Sequence, residues 1–461
     1  MAQLEMMAIG DSLYQGVRSM TIRADLCATS IPAQVAKALG IPFVSPDMAH
    51  PVIIDPETWL ADLGRIGKDL AAYGAYWQGN PVSPGGHVCF DNLSIGGAQV
   101  WHLYRYTALD AANDAKAQFD KLGGKPLSFG TLGNIDVAAL IFGATARFVL
   151  NPSNNPDFQQ ITQLDWVALR KPKRLLVDIG SNNGLWDMCF NGDPASKFYF
   201  GKDYQAASGD PEDFTQIEEL ADALNRLPPE IEVIYYNNQG RPRCVPNLMP
   251  LPDQVEWETH PGDGYFDLYE NRMALSMTYN RMTGAQMKAL DDYVAQLNAK
   301  IQQIVSSRVT SRKVVFVDLY KVLSDNDAKH YGDGRATLAG GKRISNNMFE
   351  SDPWGGMAHG GFFGLDGMHP TNVGYAKVAQ QVVNDIYTTE RAGQQPPMID
   401  LDAVSKGDTL IQDCPGKWSP LMYLWRDIRR GASKSTDSGL QVIDAMQAGN
   451  IASRVDWKSG H

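Results

Sequence analysis

The chain has 461 residues, of which 44% are hydrophobic and 10% aromatic, so it carries enough apolar side chains for a large buried core. Its 41 basic and 52 acidic residues give a net charge of −11, and lysines and arginines form no cluster of the kind that tracks a phosphate backbone. These values exclude a disordered chain and argue against nucleic-acid binding.

The first predicted element is a strand over residues 4–9, an apolar run that ends at Gly10-Asp11-Ser12-Leu13. A signal peptide would need a basic start and an apolar centre, and this strand leaves no space for one. We therefore expect a cytoplasmic protein, or a secreted or periplasmic one if a leader has been removed.

Four further short apolar segments, rich in branched residues, are typical of strands buried on both faces. Together with the first they predict a five-stranded parallel sheet over residues 4–9, 88–95, 175–179, 231–236 and 314–319. Helical patterns alternate with these strands, which indicates an α/β fold.

Three helices are predicted from apolar residues at helical spacing. Asp213 is the expected N-cap of the first, which ends at Pro228. A second stripe covers residues 287–304, and a third helix follows Pro370.

Residues suited to acyl transfer follow the first three predicted strands. Ser12 follows the first strand, Gly97 the second and Asn182 the third. Because the carboxyl ends of parallel strands meet at one edge of a sheet, we expect these residues to converge. A glycine N–H and an asparagine amide are donors that can stabilise an oxyanion.

A base for the serine is expected far downstream. Asp366 and His369 are three residues apart in Asp-Gly-Met-His-Pro, so one tight turn can bring the carboxylate to one imidazole nitrogen and leave the other for Ser12. Asp47 and His50 repeat the pattern but lack a following amphipathic helix. His87 and His359 are interpreted as loop residues, with His359 a candidate for the border of the cleft.

Two large insertions separate the strands, over about residues 99–173 and 237–284, and are candidates for a cap over the site. Within the first, residues 137–143 are interpreted either as a buried helix or as the lining of an acyl or aryl pocket. The longest apolar stretch, Val137–Leu150, contains Arg147 and is too short to span a bilayer, so no transmembrane helix is expected.

No cofactor or metal is expected. The five cysteines are scattered without a Cys-x-x-Cys pair. Asp325-Asn326-Asp327 begins like a calcium loop, but Lys329 places a cation where a ligand is needed.

The composition changes after about Arg391, which divides the chain into a main domain, 1–395, and a tail, 396–461, expected to dock on it. Residues 421–430 have an apolar body with basic residues at the end. They predict either a docked terminal helix or a contact with an anionic membrane surface.

The four blocks around Ser12, Gly97, Asn182 and Asp366/His369, in this order, resemble the SGNH (GDSL) hydrolases. The resemblance implies a three-layer α/β/α, flavodoxin-like fold with Ser12 as nucleophile, His369 as base and Asp366 as its orienting group. It also implies an oxyanion hole formed by Ser12, Gly97 and Asn182. The third block usually reads Gly-x-Asn-Asp, and Asn183 here replaces the acid.

The expected function is that of an esterase or lipase which hydrolyses a small-molecule or lipid carboxylic ester through a serine acyl-enzyme. Two alternatives remain open at this point. One is an acyltransferase of the same fold that moves the acyl group to an alcohol or sugar, and the other is a non-catalytic binding protein. The sequence leaves the oligomeric state open.

Overall fold

The computed structural model describes residues 3–204, 209–250, 260–271, 280–351 and 357–412. The strands in these ranges are β1 (Met6–Gly10), β2 (Arg174–Asp178), β3 (Val233–Asn237), β4 (Leu248–Pro250), β5 (Leu268–Asn271), β6 (Arg281–Thr283), β7 (Lys313–Val317), β8 (Thr337–Ala339), β9 (Lys342–Ile344), β10 (Phe349–Ser351) and β11 (Met357–Gly360). The helices are α1 (Ser12–Gln15), α2 (Ala24–Cys27), α3 (Ile31–Leu39), α4 (Pro56–Ala61), α5 (Ile66–Gln78), α6 (His102–Arg105), α7 (Ala108–Asp120), α8 (Phe129–Leu132), α9 (Val137–Leu150), α10 (Gln163–Arg170), α11 (Leu185–Cys189), α12 (Thr215–Asn225), α13 (Gly284–Arg308), α14 (Leu319–Asp325), α15 (Ala328–Tyr331), α16 (Asn372–Glu390), α17 (Leu401–Lys406) and α18 (Thr409–Gln412).

The central sheet is parallel and has the strand order β1-β2-β3-β7. The predicted strand over 88–95 is not a regular strand, although it lies beside the free edge of β1. It makes a parallel bridge from Asn92 to Ala8, and Ile95 N–H donates to the carbonyl of Gly10 at 2.9 Å. Asn92 Oδ1 accepts from Ser94 N–H at 3.2 Å, a local hydrogen bond that competes with the strand ladder.

If the 88–95 segment is counted as the second strand, the order becomes 2-1-3-4-5, as in flavodoxin-like folds. Side chains alternate across the sheet, so that Met6 and Ala8 of β1 join one apolar cluster and Met7 and Ile9 join another. Helices α3 and α16 cover the first face, and α12, α13 and the helices of the first insertion cover the second. The three-layer α/β/α fold expected from the sequence is confirmed.

The predicted helices form with small shifts at their ends. Helix α12 begins at Thr215, one residue later than an Asp213 N-cap would require. Asp213 Oδ1 instead accepts from the N–H and the hydroxyl of Thr215, at 3.0 and 2.6 Å. Helices α13 and α16 cover the other two predicted stripes.

Helices make up most of the first insertion, and they share the core of the sheet. Helices α7 and α9 pack tightly because Gly143 has no side chain, and a Cβ there would lie 2.7 Å from the backbone nitrogen of Ala115. Leu140 and Phe148 of α9 are fully buried in the same apolar cluster as the strand residues Ile9 and Val177. Part of the second insertion forms the antiparallel sheet β4-β5-β6.

The beginning of the tail is held by buried charges. Arg18 forms ion pairs with Asp408 at 3.1 Å and with Glu57 at 2.7 Å, and all three side chains are buried. The tail residues 421–430 lie outside the described residues. Across the described ranges no helix has the length and apolar character required to cross a bilayer.

Candidate active site

Asp366 and His369 form the expected pair. His369 Nδ1 lies 2.7 Å from Asp366 Oδ2, and His369 N–H donates to Oδ1 of the same carboxylate at 2.8 Å. Burial alone would raise the pKa of Asp366, but the His369 imidazole and the N–H groups of His369 and Met368 lower it below its ordinary value. The carboxylate is therefore ionised and fixes the imidazole so that Nε2 remains for a substrate or a nucleophile.

A strained turn after α1 supplies a further donor to Asp366. Arg18 and Thr21 pair across two residues, Ser19 and Met20, whose φ angles are +54° and +61°. This left-handed backbone is unfavourable for residues other than glycine, and it directs Met20 N–H to Asp366 Oδ2 at 2.8 Å. Sequence reasoning missed Met20, because nothing in a Ser-Met dipeptide indicates such a turn.

Ser12 begins helix α1 directly after β1. The side chain of Asp11 caps this helix by accepting from Leu13 N–H at 3.3 Å. Gly10 is required there because its φ is +144° and a Cβ would lie 2.0 Å from the carbonyl oxygen of Asp178. The segment after Ser12 packs against the Asp366 turn, since Tyr375 donates to the carbonyl of Val17 and Met20 donates to Asp366.

Ser12 is 8% exposed, and its hydroxyl makes no hydrogen bond to any residue in the described part of the chain. The hydrogen bond between a nucleophile and its base commonly tightens only when substrate binds. The backbone N–H of Ser12, at the first position of its helix, also has no acceptor among these residues.

Gly97 and Asn182 lie side by side at the same edge of the sheet. Asn182 Nδ2 donates to the carbonyl of Ala98 at 3.0 Å, and Gln99 Nε2 donates to the carbonyl of Asn182 at 3.2 Å. Gly97 is exposed with a φ of +89°, and its N–H makes no hydrogen bond within the described ranges. One Asn182 amide hydrogen and the Gly97 N–H are thus available to a bound oxygen.

Asn183 has a different role from its neighbour. Its Nδ2 donates to the carbonyl of Tyr199 at 2.8 Å and to Gln216 Oε1 at 3.2 Å, while its Oδ1 accepts from Val100 N–H at 3.0 Å. The side chain is buried and its hydrogen bonds all go to the scaffold. An aspartate could accept from Val100 but could not donate to the other two oxygens, which explains the asparagine at this position.

The rival histidines are not placed like His369. Asp47 accepts from Ser83 and from Gly85 N–H, and it lies 3.9 Å from His87 rather than beside His50. His50 packs against the rings of Tyr73 and Tyr76. His359 lies in strand β11 and not in a loop as expected, and its Nδ1 lies 2.9 Å from the carbonyl of Gly360.

Asp327 and His330 form a third Asp-x-x-His pair, which was not predicted from the sequence. His330 Nδ1 lies 2.9 Å from Asp327 Oδ1, its Nε2 lies 2.8 Å from the Tyr269 hydroxyl, and Arg243 contacts the same carboxylate at 3.1 Å. The pair is fully buried. All polar atoms of the imidazole are therefore engaged, which leaves no nitrogen for a nucleophile.

Aromatic side chains flank the site on two sides. Trp186 lies 6.3 Å from His369, measured between ring centroids. On the other side, Phe142 of α9 would lie 3.3 Å from a Cβ on Gly97, and its ring packs at a tilt against His102 with 4.7 Å between the ring centroids. Residues 137–143 are thus a helix whose Phe142 faces the Gly97 loop.

A pocket of about 440 Å³ opens beyond Trp186, lined by Asp187, Asn191, Gly192, Asp193, Pro194, Asn280 and Arg281. Ser12, His369, Gly97 and Asn182 do not line it. The described residues contain no group of three or more side chains suited to hold a metal ion, and the four cysteines among them are buried and unpaired.

A family model described as GDSL-like Lipase/Acylhydrolase matches residues 6–382. This span includes all four sequence blocks and the whole parallel sheet. No curated protein and no solved structure gives a significant match.

Proposed function

The chain belongs to the GDSL-like lipase/acylhydrolase family, a family of hydrolytic enzymes, and from this membership and the site geometry we propose that it is a serine ester hydrolase. The observation that carries the proposal is the 2.7 Å contact between Asp366 and His369 Nδ1, which leaves Nε2 as the base. The free Ser12 hydroxyl, the free Gly97 N–H and the Asn182 amide support it.

In the proposed mechanism, His369 Nε2 takes the Ser12 proton as Oγ attacks the ester carbonyl carbon. The carbonyl oxygen becomes negative and receives hydrogen bonds from Ser12 N–H, Gly97 N–H and Asn182 Nδ2. Collapse of this intermediate breaks the bond to the alkoxide, which leaves with the proton from His369. Water then hydrolyses the acyl-enzyme by the same steps, and the acid and Ser12 are released.

Asp366 stays ionised throughout this cycle. Its carboxylate orients the imidazole and stabilises the imidazolium that forms at each transition state. Four N–H groups hold it in place, from Met20, Met368, His369 backbone and His369 Nδ1.

The proposal is tested with Ser12→Ala and His369→Ala, assayed on p-nitrophenyl esters of increasing acyl length. Each variant should lose at least about 10⁴-fold in kcat while it keeps the thermal midpoint of the parent, because nucleophile and base act as one unit. An alkyl fluorophosphonate should label Ser12 in the parent protein and label nothing in Ser12→Ala.

His50→Ala is the matched control, since it removes a histidine from the same Asp-x-x-His-Pro pattern. It should keep parental kcat. Loss of activity in His50→Ala with normal activity in His369→Ala, or a fluorophosphonate adduct on another serine, would overturn the assignment.

A further inference from the structure

Two buried carboxyl groups lie directly behind the proposed site. Asp11 directly follows β1, and Asp178 is the last residue of the neighbouring strand β2. Asp11 N–H donates to the carbonyl of Asp178 at 2.9 Å. The side chains are 0% and 3% exposed. The proposed mechanism gives neither carboxyl group a role.

Each carboxyl group has one oxygen with a donor and one without. Asp11 Oδ1 accepts from Leu13 N–H, and Asp178 Oδ1 accepts from Asn237 Nδ2 at 3.0 Å. The second oxygen of each, Oδ2, is buried and has no donor among the described residues if both groups are ionised. Asp11 follows Gly10, which is the register partner of Asp178, so the two carboxyl groups leave neighbouring strand ends side by side. One proton shared between them would satisfy both Oδ2 atoms.

Among the described residues, no cation compensates the charge of these two carboxyl groups. No lysine, arginine or histidine of the described ranges forms an ion pair with either carboxyl group, and the titratable groups that face them are the tyrosines Tyr14, Tyr236 and Tyr375. Two like charges at contact in a dry interior cannot both persist. Accordingly, burial and then the charge of Asp178 raise the pKa of Asp11 well above its ordinary value, and burial raises that of Asp178.

We propose that Asp11 and Asp178 share one proton at neutral pH and that this acid pair positions Ser12 against Asn182. The inference rests on the proposed function and assigns positioning residues to that site. The Asp11 carboxyl group faces Leu13 N–H in the Ser12 helix and Ser181 N–H in the Asn182 turn. Asp178 extends the network through Asn237 to the hydroxyl of Tyr14, again in the Ser12 helix.

Loss of the shared proton has two consequences. Repulsion separates the two strand ends that carry Ser12 and Asn182, and a second negative charge appears behind the oxyanion. Both effects oppose the transition state, so kcat should fall on the alkaline side by roughly tenfold or more, because like charges repel more strongly in a buried site than in water.

The sign of the stability effect follows from proton linkage. The folded protein keeps a proton that the unfolded chain gives up above about pH 4, so the free energy of unfolding falls as pH rises from there to the folded pKa of the pair. In a variant that has only one of the two acids, no proton is shared, so this fall in the free energy of unfolding with pH should be absent.

Asp178→Asn is the test, because its amide can donate to Asp11 Oδ2 while Oδ1 still accepts from Asn237. At neutral pH the kcat of the variant should stay within about threefold of the parental value, and its kcat should not fall on the alkaline side. As pH rises above about 4, its unfolding midpoint should increase relative to that of the parent. Asp11→Asn, in which the amide replaces the shared proton from the other side, should show the same change in the pH dependence of stability.

Asp385→Asn is the matched control. Burial also raises the pKa of Asp385, to about 6, but this carboxyl group belongs to α16 and accepts from Gln381. Its replacement should change the stability profile and leave the pH profile of kcat unchanged.

Superimposable pH profiles of parent and Asp178→Asn, in both kcat and unfolding midpoint, would overturn the proposal. The stability measurement does not require turnover. If the protein hydrolyses no ester, the proposed function fails, while the shared proton is still tested by the midpoints of parent, Asp178→Asn and Asp11→Asn.

Discussion

The neighbouring residues Asn182 and Asn183 make different hydrogen bonds and have different expected roles. Asn182 is half-buried and uses one amide hydrogen for the Ala98 carbonyl, whereas buried Asn183 bonds Val100, Tyr199 and Gln216. The family resemblance implies that Asn182 belongs to the oxyanion hole, and Asn183 stands where the family usually has an aspartate. The structure adds that Asn183 needs both donor and acceptor atoms, which a carboxylate does not provide.

Asn182→Ala and Asn183→Ala should therefore fail in different ways. Loss of one oxyanion donor costs on the order of 10²–10³ in kcat, and we expect this of Asn182→Ala with an unfolding midpoint close to that of the parent. Asn183→Ala leaves buried partners unsatisfied and should lower the free energy of unfolding by about 1–3 kcal/mol. Ester kinetics and urea unfolding measure the two effects.

Asn183→Asp restores the residue usual in the family and is the sharper control. It should be less stable than the parent, because its acceptor oxygens would face the Tyr199 carbonyl and Gln216 Oε1. The register of the third block is wrong if Asn183→Ala loses kcat and Asn182→Ala loses only stability.

Helix α9 of the first insertion contacts the candidate site through Phe142. Its Phe142 rests on the Gly97 loop and on His102, whose Nδ1 accepts from Gln99 N–H at 2.7 Å. Burial lowers the pKa of His102 to about 3, so the ring is neutral and acts as part of the apolar wall. Residues 137–143 form a helix in which Leu140 faces the core and Phe142 faces the Gly97 loop. The lining of an acyl or aryl pocket by this helix stays a prediction.

Phe142→Ala should change acyl selectivity more than catalysis. We expect kcat/KM for an aryl or long-chain acyl ester to fall about tenfold relative to the acetyl ester, because an apolar contact beside the proposed oxyanion hole is lost. Phe129→Ala, the same change at a half-exposed position of α8, should leave the ratio unaltered. If the ratio of kcat/KM between long-chain and acetyl esters is the same in Phe142→Ala as in the parent, Phe142 does not contact the acyl group.

Arg18 forms buried hydrogen bonds to segments that are far apart in the chain. Its guanidinium donates hydrogen bonds to four side chains, those of Glu57, Asn372, Asp408 and Thr409. The hydroxyl of the next residue, Ser19, donates to Glu57 and accepts from Leu365 N–H. The strained turn that presents Met20 to Asp366 is thus held by α4, α16 and the start of the tail.

Asp408→Ala should lower the free energy of unfolding by up to about 3 kcal/mol, because it leaves the buried Arg18 with one acidic partner instead of two. Activity should fall with it, since the Met20 turn loses part of its support. Glu232→Ala, which breaks an exposed ion pair with Lys173, is the control and should change stability by less than about 1 kcal/mol. Equal effects of both changes in urea unfolding would contradict a buried network.

The α/β class, four of the five strands and the candidate residues Ser12, Gly97, Asn182, Asp366 and His369 could be predicted from the sequence. These features are local, because apolar runs form buried strands and a spacing of three brings a carboxylate to an imidazole in one turn. The sequence already favoured the Asp366–His369 pair over the Asp47–His50 pair. Only the tertiary structure shows that Tyr269 engages the second imidazole nitrogen of His330, whereas no described residue does so at His369 Nε2. The pairs at Asp47, Asp327 and Asp366 have the same spacing, and only packing against segments far away in the chain separates them. The Met20 turn, the Phe142 contact and the Asp11–Asp178 pair likewise join residues from distant elements, which no local pattern encodes.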